Sequence, residues 1–341
     1  MRFLPRPRGG YGRGMKSPTF RPLPLLRVLC AALAGALGIA AAAPAAAAGQ
    51  ISSVRFETLR AQDLRVASVA YRLSLANSAI CADTLAPQHG LILHSLEQYG
   101  SADRERAVRR FGLGANVNVM AVVEGSPAAK AGLTADDRLL SVNGEALMAG
   151  PAAWEPGPSR ASVQHALLMI ARALEKGEIV LRVAGSRGER DVRFQADRGC
   201  PADVELLPGN DVNAWADGER VVVSAGIVRR CRGDDDLALV IAHELAHNLL
   251  HHGRRSASLP HRQDAPFLPS NVGARATYAI EEDADRLAVK LARAAGYDLS
   301  GAEAFLTDLT RSSPPAPESR THPALERRLA LLRTEIAAND R

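Results

Sequence analysis

The first 48 residues contain no aspartate and no glutamate, yet they carry Arg2, Arg6, Arg8, Arg13, Lys16, Arg21 and Arg27. Setting those seven aside leaves 35 of the 42 basic residues against 37 acidic ones, a net of −2. The formal charge of +5 therefore belongs to the leader. A basic surface for nucleic acid loses its main support, and no nucleic-acid partner is expected. Cysteine is scarce, with Cys81, Cys200 and Cys231 as the only ones past residue 48. None has metal-ligand spacing with another, and three thiols make at most one internal bridge. Long apolar runs are also missing beyond the leader, so no transmembrane span is expected in the processed chain.

The leader has the make-up of a secretory signal. Its basic region ends at Arg27, an uncharged stretch follows from Val28 to Ala40, and small residues close it at Ala45-Ala-Ala-Ala-Gly49. A cleavage site near Ala48 makes residues 1–48 the signal peptide, and Met15-Lys16 opens a leader of more usual length. Leu29 and the apolar stretch after Cys30 speak against a lipid anchor there. The expectation is an exported bacterial protein, periplasmic or secreted. Export would let two cysteines oxidise. A Cys200–Cys231 bridge would tie the start of the last domain to the helix of residues 237–250, but the sequence does not choose the pair.

A chain of 341 residues has room for two or three cores. Residues 49–101 read as an N-terminal extension, with helical spacing from Glu57 to Leu75 and a short strand at Gly90-Leu-Ile-Leu-His94. Residues 102–198 form a different unit. Strands are expected at Val117–Val123, Arg138–Val142, Glu178–Val183 and Asp191–Phe194, with Pro127 opening a short helix and Asn143-Gly144 a hairpin turn. An amphipathic helix is expected over Ser162–Lys176. Gly112-Leu-Gly114, Gly125-Ser-Pro-Ala-Ala-Lys-Ala-Gly-Leu133, Asp137-Arg-Leu-Leu-Ser-Val-Asn-Gly144 and the later helix together resemble a PDZ domain. The resemblance implies a peptide groove between a strand and that helix, filled by strand addition. Backbone N–H groups near Gly112, Leu113 and Gly114 would hold a terminal carboxylate.

Residues 199–341 read as mostly helical, with a strand at Val221-Val-Val-Ser224 placed to act as an edge for an extended substrate. The apolar run Leu237–Leu250 contains His243-Glu-Leu-Ala-His247. On a helix the two histidines share one face, so both imidazoles can reach one metal ion, and Glu244 beside them can deprotonate a water. Asp234, Asp235 and Asp236 can cap the helix start and Gly253 can end it. Two neutral nitrogen ligands suit zinc, which needs a third protein ligand and leaves a position open for water. A helix over Ala274–Ala295 carries Glu281-Glu-Asp-Ala-Asp285, where spacing alone does not choose among Glu281, Glu282 and Asp285. The Pro-, Ser-, Arg- and His-rich segment 253–272 reads as a surface loop able to cover the site.

His243-Glu-Leu-Ala-His247, Glu281-Glu-Asp-Ala-Asp285 and Thr321-His-Pro-Ala-Leu-Glu-Arg-Arg-Leu329 resemble, in that order, the motifs of the M48 family of zinc metallopeptidases. The resemblance implies one zinc per chain held by His243, His247 and Glu281, with Glu244 as general base. It places Asp285 behind a ligating imidazole, His322 near the oxyanion, and Arg328 beside the acids. The fold class that follows is α+β: a mainly helical zincin-type metalloprotease domain preceded by a small β-rich PDZ-like domain. The implied function is an exported zinc endopeptidase acting on protein or peptide substrates, including unfolded or misassembled envelope proteins. The alternative is a chaperone-like peptide-binding protein whose zinc is structural or latent.

Overall fold

The computed structural model describes residues 45–147, 158–252, 270–312 and 325–339. The expected leader lies outside them except for Ala45–Ala48, which form the first turn of α1 (Ala45–Ala76). Along this helix Val66, Val69, Ala70 and Leu73 recur at the spacing of one helical face, and all four are buried. They enter the same core as α6 (Asp234–Leu249) and α7 (Ser270–Ala294), the pair that dominates the helical half.

Between α1 and the rest of that core the chain makes a long excursion. It leaves at Cys81 and returns at Cys200, and these two residues form a disulfide with their Cα atoms 5.2 Å apart. Of the pairings the sequence left open, Cys81–Cys200 is the one that forms, and Cys231 is a buried free thiol. The neck of the excursion is pinned further by β1 (Ala86–Gln88) pairing antiparallel with β8 (Asp197–Gly199). Ser74 on α1 donates to the Cys200 carbonyl at 2.6 Å, and the Cys200 N–H returns a bond to the Ser74 carbonyl at 3.0 Å. Glycine is required at 199, where a Cβ would meet Ser74 Oγ at 2.4 Å.

The excursion folds around an antiparallel sheet. Its order is β2 (Leu91–His94), β3 (Asn118–Val122), β4 (Arg138–Val142), β6 (Ile179–Gly185) and β7 (Gly188–Phe194), with β5 (Glu145–Ala146) returning on β4. The sheet thus begins at β2, ahead of residue 102. Asn143 and Gly144 both take left-handed φ, 50° and 83°, as a tight hairpin turn demands. One sheet face packs on α4 (Ala161–Glu175) through Val163, Ala166, Ile170, Ala173 and Leu174. The other carries Met120 against Phe56 of α1, with Phe111 of α2 (Ser101–Phe111) and Leu113.

The helical half also holds a three-stranded sheet where the sequence reads mostly helix. Its order is β10 (Ala214–Ala216), β11 (Arg220–Ser224) and β9 (Asp203–Leu207), with β11 antiparallel to β10 and parallel to β9. The strand expected as an edge, Val221–Ser224, is therefore the middle one, and the free edges are β9 and β10. The half is completed by α5 (Ala225–Arg230), α8 (Ala302–Ser312) and α9 (Leu325–Asn339). Among the described residues no helix is long and apolar enough to cross a membrane.

Candidate metal centre

Helix α6 starts at Gly233, and none of the three following aspartates caps it. Each instead ties α6 to another segment. Asp234 pairs with Arg65 of α1 at 2.6 Å, Asp235 accepts the Asp298 N–H at 2.9 Å, and Asp236 accepts the Arg232 N–H and grips its guanidinium at 2.8 Å. The helix ends at Leu249, earlier than expected, and Gly253 lies outside the described residues. Its inner face includes Ala242 and Ala246, while α7 presents Ala284, Ala288 and Ala292 one turn apart, all fully buried. Small side chains on both helices let their backbones approach closely, which brings the acids of α7 up to the histidines of α6.

Three side chains converge there. His243 Nε2 lies 3.2 Å from His247 Nε2 and 3.4 Å from Glu281 Oε2, and His247 Nε2 lies 3.7 Å from Glu281 Oε1. A tetrahedral ion with ligands at roughly 2.1 Å needs ligand atoms about 3.4 Å apart. The two nitrogens and one carboxylate thus fit zinc in both spacing and chemistry, with one coordination position left over. Among the described residues this is the one His/Cys/Asp/Glu group close enough to hold an ion. Glu282 points elsewhere and pairs with Arg327 and Arg286.

A second set of contacts fixes the imidazoles. His243 Nδ1 lies 2.9 Å from Asp285 Oδ1. Arg328 of α9 grips Asp285 with two bonds, Nε to Oδ2 at 2.8 Å and Nη2 to Oδ1 at 2.6 Å. Burial alone would raise the Asp285 carboxyl, but the Arg328 and His243 hydrogen bonds outweigh it and hold the group well below the usual carboxylate range. Burial would likewise depress His243, whereas Asp285 and Glu281 raise it to about 10. The carboxylates that favour a proton on this ring favour a metal cation for the same reason. His247 is oriented differently, with its Nδ1 3.0 Å from Nδ1 of buried His252. Glu244 is half-buried next to His243.

His243, His247, Glu281, Asp285 and Arg328 are thus brought together. His322 lies outside the described residues. Nothing in the sequence pattern marks His252 as a partner of His247. The chain turns back after Leu250 through His251 in a left-handed conformation, φ 54°, and helical spacing gives no sign of that turn.

The expected peptide loop is not assembled as read. Gly112 is the left-handed cap of α2 and Leu113 is buried beside Phe56 and Phe111. A cavity of about 1050 Å³ lies instead between β2, an edge strand among the described residues, and α4, lined also by residues 86–90 and continuing along β9 of the helical half. Gly112, Leu113 and Gly114 do not line it. A glycine-rich string was the signal followed, whereas the strand edge depends on which strand has a neighbour.

Comparison with known proteins agrees with the order of the two halves. The family model of a PDZ domain matches residues 119–153, and that of Peptidase family M48 matches residues 186–270. No curated protein matches the chain. The M48 match takes in His243, Glu244 and His247 and ends before Glu281. The chain therefore contains a segment that matches a PDZ domain, followed by one that matches peptidase family M48.

Proposed function

We propose that this chain is an exported zinc-dependent endopeptidase that hydrolyses peptide bonds of protein substrates. The observation that carries the reading is the convergence of His243, His247 and Glu281 at ligand spacing beside Glu244. Bound zinc would supply Lewis acidity, lowering the pKa of water and polarising a scissile carbonyl. Glu244 takes the proton from the attacking water and passes it to the leaving amine. Asp285 and Arg328 hold His243 in the tautomer whose Nε2 faces the metal, and His252 does the same for His247. His322 is assigned to oxyanion stabilisation on the resemblance alone. The free edge of β10, a strand that packs against α6, offers backbone groups on which an extended substrate can align.

Export is supported by the acid-free leader and by the Cys81–Cys200 bridge, which suits an oxidising compartment. The PDZ domain would recruit or present peptides. The test is cleavage of an unfolded model protein by residues 49–341 beside the Glu244→Gln variant. Cleavage by the parent and none by the variant is expected. Full activity in the variant would sink the mechanism, and inactivity of both would favour a peptide-holding protein.

A further inference from the structure

We infer that the groove between β2 and α4 receives an internal, extended and basic segment of polypeptide, not a chain terminus. The inference rests on the proposed recruitment of peptides by the PDZ domain, with this groove as its site. Strand addition to β2 would use its free edge, starting at Leu91. In a groove built for a chain end, the backbone N–H groups at the strand's start capture the carboxylate.

Here that position is already filled. The Leu91 N–H donates to Nδ1 of His89 at 3.0 Å. The ring is a lasting acceptor, because burial depresses His89 to about 4 and keeps it neutral. The loop carrying it has little freedom to withdraw. Its carbonyls at His89 and Gly90 accept the Ala128 and Val123 N–H groups at 3.2 and 2.8 Å. Gly90 sits at φ +77°, and a Cβ there would meet Ser126 at 2.3 Å. Residues 86–88 just upstream are held by β8.

The charge of the lining points the same way. Asp63, Asp203, Glu205, Asp217 and Glu219 all face the cavity. Against these five acids and Asp103, the lining carries three arginines: Arg55, which is exposed, and Arg160 and Arg220, both engaged by Glu205, with Arg220 also paired to Asp217. Burial raises Asp63 to about 7 and raises Asp203 as well, so further negative charge is unwelcome and a cation would be stabilised. Opposite β2, α4 offers Leu167 and the exposed Leu168, 55% accessible, as an apolar wall. The cavity is not confined to β2 but runs on along β9, an edge strand among the described residues, so a bound segment can continue beyond the β2 groove.

The experiment uses the full chain carrying Glu244→Gln, so that nothing is cut, and a fluorescein-labelled peptide of alternating valine and lysine read by anisotropy. The peptide is supplied with a free carboxyl end, with a carboxamide end, and flanked on both sides by glycine-serine linkers. All three forms should bind within about twofold of one another, since no binding energy rides on the terminal charge. Replacing lysine by glutamate, or Leu168→Asp in the protein, should weaken binding by about tenfold or more. In His89→Ala the freed Leu91 N–H should make the carboxyl form bind better than the amide. A tenfold loss on amidation, roughly 1.4 kcal/mol, would overturn the inference. So would equal binding of the glutamate peptide, or no preference in His89→Ala. Failure of every form to bind would also end it, and if the unmutated chain still cleaves protein, the peptidase reading would stand without it.

Discussion

Asp285 is buried and Asp63 half-buried, and their surroundings push the two carboxyls in opposite directions. Asp285 loses hydration, but a two-bonded Arg328 and the His243 ring more than replace it, so its charge is held firmly. Asp63 loses hydration beside Arg160, which Glu205 already engages, and burial wins, moving it to about 7. The metal centre is thus organised around fixed negative charge before any ligand arrives. In the groove, acids outnumber arginines, and burial outweighs the nearby arginines at Asp63 and Asp203. The first arrangement suits catalysis, where preorganised groups cost no rearrangement during reaction. The second suits recognition of something positively charged.

The largest effect tests the metal centre itself. Glu244→Gln should keep zinc, measured by metal content, and lose about 10²- to 10⁴-fold in turnover. Next comes the neck between the two regions. Removing the Cys81–Cys200 bridge, which closes a sequence separation of 119, frees a long loop in the unfolded chain. Replacing both cysteines by alanine should cost about 2–5 kcal/mol in denaturant unfolding. An unchanged midpoint would show that β1, β8 and Ser74 alone hold the neck. Third, Asp285→Asn and His252→Gln should each weaken zinc binding by about 10- to 100-fold, more for Asp285 because its partner is a fixed charge. Equal losses in a competitive metal titration would erase that difference between the two ligands. The smallest effect sharpens the contrast between the aspartates. The folded-state pKa of Asp63 lies above its unfolded value, so stability is lost as pH rises from about 4 to about 7. Asp63→Asn should remove that slope and gain on the order of 1 kcal/mol at neutral pH. A slope that survives would mean that Asp63 is charged in the folded protein.

Much of the metal centre was legible because its parts are local. His243 and His247 are four residues apart in an apolar helix, so one turn of backbone fixes their relation. Glu281 and Asp285 share a face of the next long helix, and the family resemblance chose between neighbouring acids that spacing left open. The aspartates at the start of α6 were misread for a related reason. A local rule makes them caps, but Arg65 and Asp298, from elsewhere in the fold, and Arg232, just ahead of the helix, use them as tethers. His252 escaped notice because it reaches His247 only through a left-handed turn.

By itself the sequence determined the order of a β-rich unit before a helical one, most of the long helices, and the two histidines one turn apart that come together at metal-ligand spacing. Hydrophobic periodicity and short spacings carry that information along the chain. Only the tertiary structure decided that α1 belongs to the helical core, that Cys81 and not Cys231 pairs with Cys200, and that β2 supplies the free edge of the groove. Each of these is a choice of partner across many residues, and such choices depend on which surfaces bury one another rather than on any pattern the chain shows locally.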